Sequence, residues 1–386
     1  MRRRVPSAML AAALLGFRNQ VKGRSAVAVA LALPVLSLLT ACGASAIKPM
    51  PITASPLAHV SPTAKVVVGT RVARSLPDFQ GGVIVYADGN DPGLLSDAQR
   101  LLDHLVAVKV NSVALVFPLY QATWTSTDVH AEAGKTPSSA FLQGFIQAAH
   151  QRNFVVLLRP LIDDTPLMRA GHWRGQLQPT NASAWFASYK ALLLSYAGLA
   201  QSESAEVLDI GTELTSLQNN TSAWLDLIAA IKEVYTGQLT YSNNWGGPYP
   251  AFGSALDFAS VDAFFPLSAP HGASVAQLIS AWQQWTPSLS QLRASLGKPL
   301  VLTELGTTSE PDSYRSPYDW HHGGGVSLEA QRRYYAASCQ ALKPLVDGMY
   351  WWVYYTNWFD KVVPQTDPGY QPVGKPAERE ITSCYQ

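Results

Sequence analysis

From Gly81 onward, short apolar runs rich in β-branched and aromatic residues alternate with longer stretches whose apolar positions recur at helical spacing. The first run is 83–86 (VIVY). It is followed by a helical pattern over 94–109, with Leu101, Leu102, Leu105, Val106 and Val108 on one face. Run two is 112–117 (SVALVF). Thr136, Pro137 and Ser138 then open a helix to His150, with Phe141, Leu142, Phe145, Ile146 and Ala149 on its apolar stripe. Further strands are predicted at 155–161, 207–210, 239–241, 258–264, 300–303 and 348–353, and further helices at 182–200, 223–234, within 274–296, 328–342 and 376–385. The Gly297-Lys298-Pro299 stretch reads as a helix stop. Between strands five and six only a Pro/Gly-rich connection (246–256) remains, so the fifth helix is expected to be vestigial. The strands are continuous apolar runs, as strands covered on both faces should be. Eight such units in about 300 residues, near the upper size of one domain, predict a single (β/α)8 barrel. A doubly wound open sheet is the alternative, but no GxGxxG follows the first strand.

Composition narrows the function. Hydrophobic residues make up 47% and mean hydropathy is +0.03, enough for a large core. Charged residues are only 14%, with a net charge of +1. That lacks the basic excess a nucleic-acid binder needs against phosphates. Trp 11 and Tyr 16 are plentiful and suit a neutral polar ligand with apolar faces, such as a sugar.

The first 80 residues read differently. Arg2, Arg3 and Arg4 precede an uncharged apolar stretch, 25–39, which is too short for the ~20 residues of a spanning helix and matches the apolar part of a signal peptide. It ends in Leu39-Thr40-Ala41-Cys42 followed by Gly43, which resembles a bacterial lipobox. That resemblance implies that Cys42 becomes the lipidated first residue and that the protein is exported and held at a membrane. A start at Met9 is the alternative to the long basic leader. The expected organisation is therefore 1–42 signal segment, 43–80 tether rich in Ala, Pro, Ser and Thr, and 81–386 barrel. Only Cys339 and Cys384 remain, and an oxidising compartment would allow them to form one disulfide clamping the last helix; the alternative is two buried thiols. No Cys/His spacing points to a metal, His321 and His322 lie in a Gly-rich loop, and no cofactor or obligate protein partner is expected.

In a (β/α)8 barrel the reactive groups lie where strands end. Candidates there are Gln121 and Trp124 after strand two, and Arg159 and Asp163 at strand three. Asn243 and Trp245 end strand five, Asp262 lies on strand six, and Trp351 and Trp358 lie at or beyond strand eight. The sharpest pattern is Glu213 and Glu304, each closing an apolar run, VLDIGTE and PLVLTE, where a charge is costly without a task. Glycoside hydrolysis needs two carboxyl groups flanking one bond.

The stretches TPSSAFLQGFIQAAHQRNFVVLLRP, DIGTELTSL, LTYSNNW, FASVDAFFPL, GKPLVLTELG, YWWVYY and PVGKPAERE resemble glycoside hydrolase family 113 over almost the whole domain. The resemblance implies a retaining (β/α)8 glycosidase acting on a β-linked glycan, most plausibly β-mannan, with Glu213 as acid/base and Glu304 as nucleophile. It implies that Gln121, Asn243 and Asp262 bond sugar hydroxyls. Trp124, Trp245, Trp351 and Trp358 would offer ring faces, and Arg159 would favour an ionised Glu304. Two positions depart from the pattern of the wider clan. Thr212 stands where Asn usually precedes the acid/base, and Phe264 and Phe265 stand near where a Tyr is common. The competing readings are a non-catalytic carbohydrate-binding protein on a degenerate barrel, and a barrel esterase or lyase, the latter weakened by the lack of GxSxG.

Overall fold

The computed structural model describes residues 76–320 and 322–386; the leader, Cys42, most of the 43–80 tether and His321 lie outside the described residues. Eight parallel strands close into a barrel in sequence order. They are β1 (Gln80–Tyr86), β2 (Ser112–Leu119), β3 (Val155–Ile162), β4 (Val207–Thr212), β5 (Gln238–Asn244), β6 (Ala259–Asp262), β7 (Leu300–Leu305) and β8 (Gly348–Tyr355). β8 pairs with β1, so the barrel has no free edge.

The helices are α1 (Leu94–Val108), α2 (Ser139–Gln151), a single turn α3 (Thr165–Met168), α4 (Ala182–Glu203), α5 (Thr221–Lys232), α6 (Val275–Trp282), α7 (Thr286–Leu296), α8 (Leu328–Leu342) and α9 (Pro376–Tyr385). Local chemistry sets several ends. Ser138 caps α2 by accepting the Phe141 N–H at 3.2 Å, Asn181 caps α4 through Ala184 at 3.0 Å, and Gly297 ends α7 at φ +61°. The helix expected within 274–296 is two, because Pro287 in the first turn of α7 has no N–H to donate back into α6. A 3₁₀ turn, Ala251–Ala255, stands where the fifth helix was expected to be vestigial. Strand six is shorter than its apolar run: Phe258 and Phe264 fall outside the ladder, and the register with β7 shifts between Val261 and Asp262.

Strand alternation divides the core in two. Val83, Val85, Val113, Leu115, Val156, Leu158, Leu208 and Leu302 face outward onto the helices, with Trp185, Trp224 and Trp282 among the buried residues of that layer. Ile84, Ala114, Val116, Leu157, Val207, Val301 and Tyr350 fill the inside of the barrel. Each of these large side chains is worth roughly 1.5–3 kcal/mol for leaving water. Cys339 of α8 and Cys384 of α9 form a disulfide, with Cα atoms 5.9 Å apart.

Candidate active site

Above the apolar filling of the barrel lies a polar layer centred on Arg159. By alternation along β3, Leu157, Arg159 and Leu161 point inward, and Arg159 is fully buried. Its guanidinium meets Glu304 at 2.7 Å, Asp262 at 2.8 Å and Asp209 at 3.3 Å. It also donates to the Thr303 carbonyl at 3.1 Å and to the Thr212 hydroxyl at 3.0 Å. Thr303 Oγ1 bonds Asp262 at 2.9 Å and meets the Ser242 hydroxyl at 2.9 Å, and Ser242 in turn bonds Asp209. A buried cation of this kind is tolerable only when its fork is filled, as here.

Both glutamates reach this layer through irregular strands. Strict alternation from Val301 inward would turn Glu304 outward. The registers of β7 with β6 and β8 shift beside it, between Val261 and Asp262 and between Leu302 and Leu305, and Glu304 meets the inward-facing Arg159 instead. β4 carries a similar shift between Asp209 and Thr212. There Gly211 passes the helix layer so closely that a Cβ would lie 3.0 Å from Trp224 and from Tyr241. The next turn sets Glu213 at φ +53°, a left-handed conformation that costs a non-glycine residue about 1–2 kcal/mol. Its N–H is held by the Ser242 carbonyl at 2.8 Å.

Glu213 is hydrogen-bonded on one oxygen and faces a cation with the other. Asn244 donates to Oε1 at 2.9 Å, and Oε2 lies 3.8 Å from Nε of Arg174. Arg174 is fixed by Asp164 at 2.8 Å and by the Ile162 carbonyl at 3.2 Å. The glutamate side chains keep 12% (Glu213) and 7% (Glu304) exposure, whereas Arg159, Asp209 and Asp262 have none, so of these five only the glutamates can meet a ligand.

The site is crowded with negative charge. Asp164, Asp209, Glu213, Asp262 and Glu304 surround two guanidinium groups. Burial, and then Asp262, pushes Glu213 up to about 7. Burial and Asp262 likewise push Glu304 well above the ordinary glutamate range, against the pull of Arg159. Burial raises Asp209 to about 6. The cluster therefore holds protons at neutral pH that isolated carboxyls would release.

Several expected ligand contacts are engaged elsewhere. Gln121 follows the outward parity of β2; it accepts from Trp185 Nε1 at 3.0 Å and donates to the Thr123 carbonyl at 2.7 Å, beneath α4. Asn243 also faces outward and bonds Gln218 at 2.7 Å; the inward residue is its neighbour Asn244. Asp262 and Arg159 lie under the site rather than in it. Trp351 packs outward on Tyr335, with ring centroids 4.2 Å apart, and Trp352 is the inward member of the pair.

Other candidates remain around the opening. Asp163 accepts from the Thr165 N–H at 2.6 Å, and burial together with its charge helps hold the proton on Tyr120. Trp124 stacks on His172 at 4.0 Å, and Trp245 stacks on the half-exposed Tyr318 at 5.8 Å. Trp358 is 60% exposed, with the Lys361 ammonium 5.9 Å from its ring centroid.

Sequence reasoning missed Asn244, Arg174 and Trp352. Parity from the outward Leu239 and Tyr241 would have chosen Asn244 over Asn243. Arg174 opens a single 3₁₀ turn (Arg174–Gln176) after β3, too short for a period to be read.

The Glycoside Hydrolase Family 113 profile matches residues 94–375. Among solved structures, the chain is 25% identical to a family 113 β-mannanase from Alicyclobacillus acidocaldarius in complex with ManMIm. The match covers 80% of this chain and 97% of that one, with a TM-score of 0.71. A family 113 β-1,4-mannanase is 24% identical, with 81% and 99% covered and a TM-score of 0.70. A β-glucuronidase from Ruminococcus gnavus shares the fold at 13% identity, with 80% and 50% covered and a TM-score of 0.53. No curated protein shows significant sequence similarity to the chain.

Proposed function

The chain belongs to glycoside hydrolase family 113, and on that footing we propose that this glycoside hydrolase cleaves β-mannan with retention, using Glu213 as acid/base and Glu304 as nucleophile. The observation that carries this reading is the pairing of the two glutamates at one end of the barrel. They end β4 and β7, keep a little solvent access, and are close enough that the charge of Glu213 raises the proton affinity of Glu304.

In the first step Glu304 attacks the anomeric carbon while Glu213 gives its proton to the departing oxygen. In the second, water gives a proton to Glu213 and displaces Glu304 from that carbon. The roles divide by environment. Glu304 has a guanidinium in contact at 2.7 Å, whereas the nearest guanidinium nitrogen to Glu213 is 3.8 Å away. Glu213, raised to about 7, carries a proton near neutrality, while contact with Arg159 opposes the burial that raises Glu304 and favours its ionised form. The reachable rings of Trp124 and Trp245 suit the apolar faces of successive sugars, and the mannanase relatives support mannan as the glycan.

Turnover of β-mannan by Glu304→Gln should fall at least about a thousandfold while glycan binding persists, because shape and most contacts survive. Proton NMR of the first product should show the β-anomer. An α-anomer, or an active Glu304→Gln variant, would reject the double displacement. The lipobox resemblance further supports a protein exported and anchored through Cys42.

A further inference from the structure

Arg174 is the cation on the Glu213 side of the site, and its guanidinium is incompletely used. Nη2 binds Asp164 at 2.8 Å, Nη1 donates to the Ile162 carbonyl at 3.2 Å, and the backbone N–H of Arg174 returns to Asp164 at 2.5 Å. The buried Nε has no hydrogen-bond partner, and the polar atom it faces is Glu213 Oε2 at 3.8 Å. A buried N–H left unsatisfied costs about 1–3 kcal/mol, so this donor beside Glu213 is open to a partner that would relieve that cost.

Resting on the reading of Glu213 as acid/base, we propose that Arg174 is a positioning residue whose Nε–H closes onto Glu213 when that carboxyl becomes an anion between the two half-reactions. In glycosylation the Glu213 O–H bond breaks and its proton goes to the leaving oxygen. The electrons of the broken sugar–oxygen bond stay on that oxygen, and the new bond forms to Glu304. Glu213 is left ionised in a site already crowded with carboxylates. A small approach converts the 3.8 Å separation into a charge-assisted hydrogen bond, which holds the carboxylate oriented toward the incoming water. Deglycosylation returns a water proton to Glu213, the bond from the sugar to Glu304 breaks with its electrons returning to Glu304, and Nε is freed. Asp164 limits the effect. It anchors the guanidinium yet is itself a negative charge near Glu213, so the ion pair tunes the acid rather than holding it permanently ionised.

The charged groups facing Glu213 are Arg159 from β3, Asp164 and Arg174 from the segment after β3, Asp262 from β6 and Glu304 from β7; Asn244 of β5 is neutral. Removing the Arg174 charge leaves an acidic surround that resists ionisation of Glu213. For Arg174→Gln the basic limb of kcat/KM on manno-oligosaccharides should move up by about one pH unit, since that limb reports protonated Glu213. The acid limb of kcat on an activated dinitrophenyl manno-oligosaccharide, where deglycosylation limits, should move up with it. Arg174→Lys should restore both limbs toward wild type. Asp164→Asn should move them down, which tests the idea even if Arg174→Gln fails to fold. A uniform loss at every pH in Arg174→Gln, or limbs that ignore both Arg174→Gln and Asp164→Asn, would overturn the proposal. Azide rescue of Glu213→Ala on the activated substrate tests the acid/base reading separately. Its failure would remove that reading whatever Arg174 does.

Discussion

Glu213 concentrates the tension between stability and chemistry at the scale of one residue. It sits in a left-handed turn, nearly buried, among Asp164, Asp262 and Glu304. Its folded value of about 7 lies above the ~4.3 of an unfolded glutamate. The native state therefore keeps a proton that the unfolded chain gives up. The stability this supplies is whole below about pH 4 and is lost as pH climbs through about 7. Glu213→Gln, which carries no charge at any pH, should melt like wild type near pH 4. It should melt several degrees higher near pH 8, a gain of roughly 3–4 kcal/mol. Melting curves across that range decide it, and a difference independent of pH would show that ionisation is not the cause. Both glutamates were legible as isolated acids closing apolar runs. Arg174 was not, because a three-residue turn carries no period that says what it faces.

The strands show where alternation works and where it stops. It assigns the two core layers along β1, β2 and β3, and it would have turned Asn243 and Gln121 outward had it been carried past the strand ends. It misplaces Glu304, because the register shifts beside β7 re-aim that side chain. The helices follow their local signals: Ser138 and Asn181 start α2 and α4, and Pro287 divides the helix expected within 274–296 into α6 and α7. The last helix is held by more than packing. The Cys339–Cys384 disulfide joins α8 to α9 across a sequence separation of 45. Replacing both cysteines by serine should lower unfolding stability by roughly 2–4 kcal/mol, mainly by releasing the unfolded chain. Denaturant titration under oxidising conditions reads this directly; an unchanged midpoint would mean that the packing of α9 suffices without the bond.

On the scale of the molecule, closing eight strands into a barrel is what lets residues remote in sequence share one charge network. Arg159 of β3 touches acids from β4, β6 and β7 at once. The membrane proposal belongs to this scale too, because an anchor changes where the barrel works and not how. Cys42→Ser should move the protein from the membrane to the soluble fraction with mannan hydrolysis unchanged. Continued membrane association would reject lipidation at Cys42.

The amino-acid order by itself determined the number and sequence of strands, hence the barrel, and with it the prominence of Glu213 and Glu304. These follow from apolar period and from the cost of stranding a charge beside an apolar run, both of which are local. The tertiary structure decided which side chains turn into the barrel: Asn244 instead of Asn243, and Trp352 inward instead of Trp351. It also decided that Arg159 and Asp262 lie beneath the site as its support. Those outcomes depend on strand register and on charges brought together by closure, and neither exists until the barrel is formed.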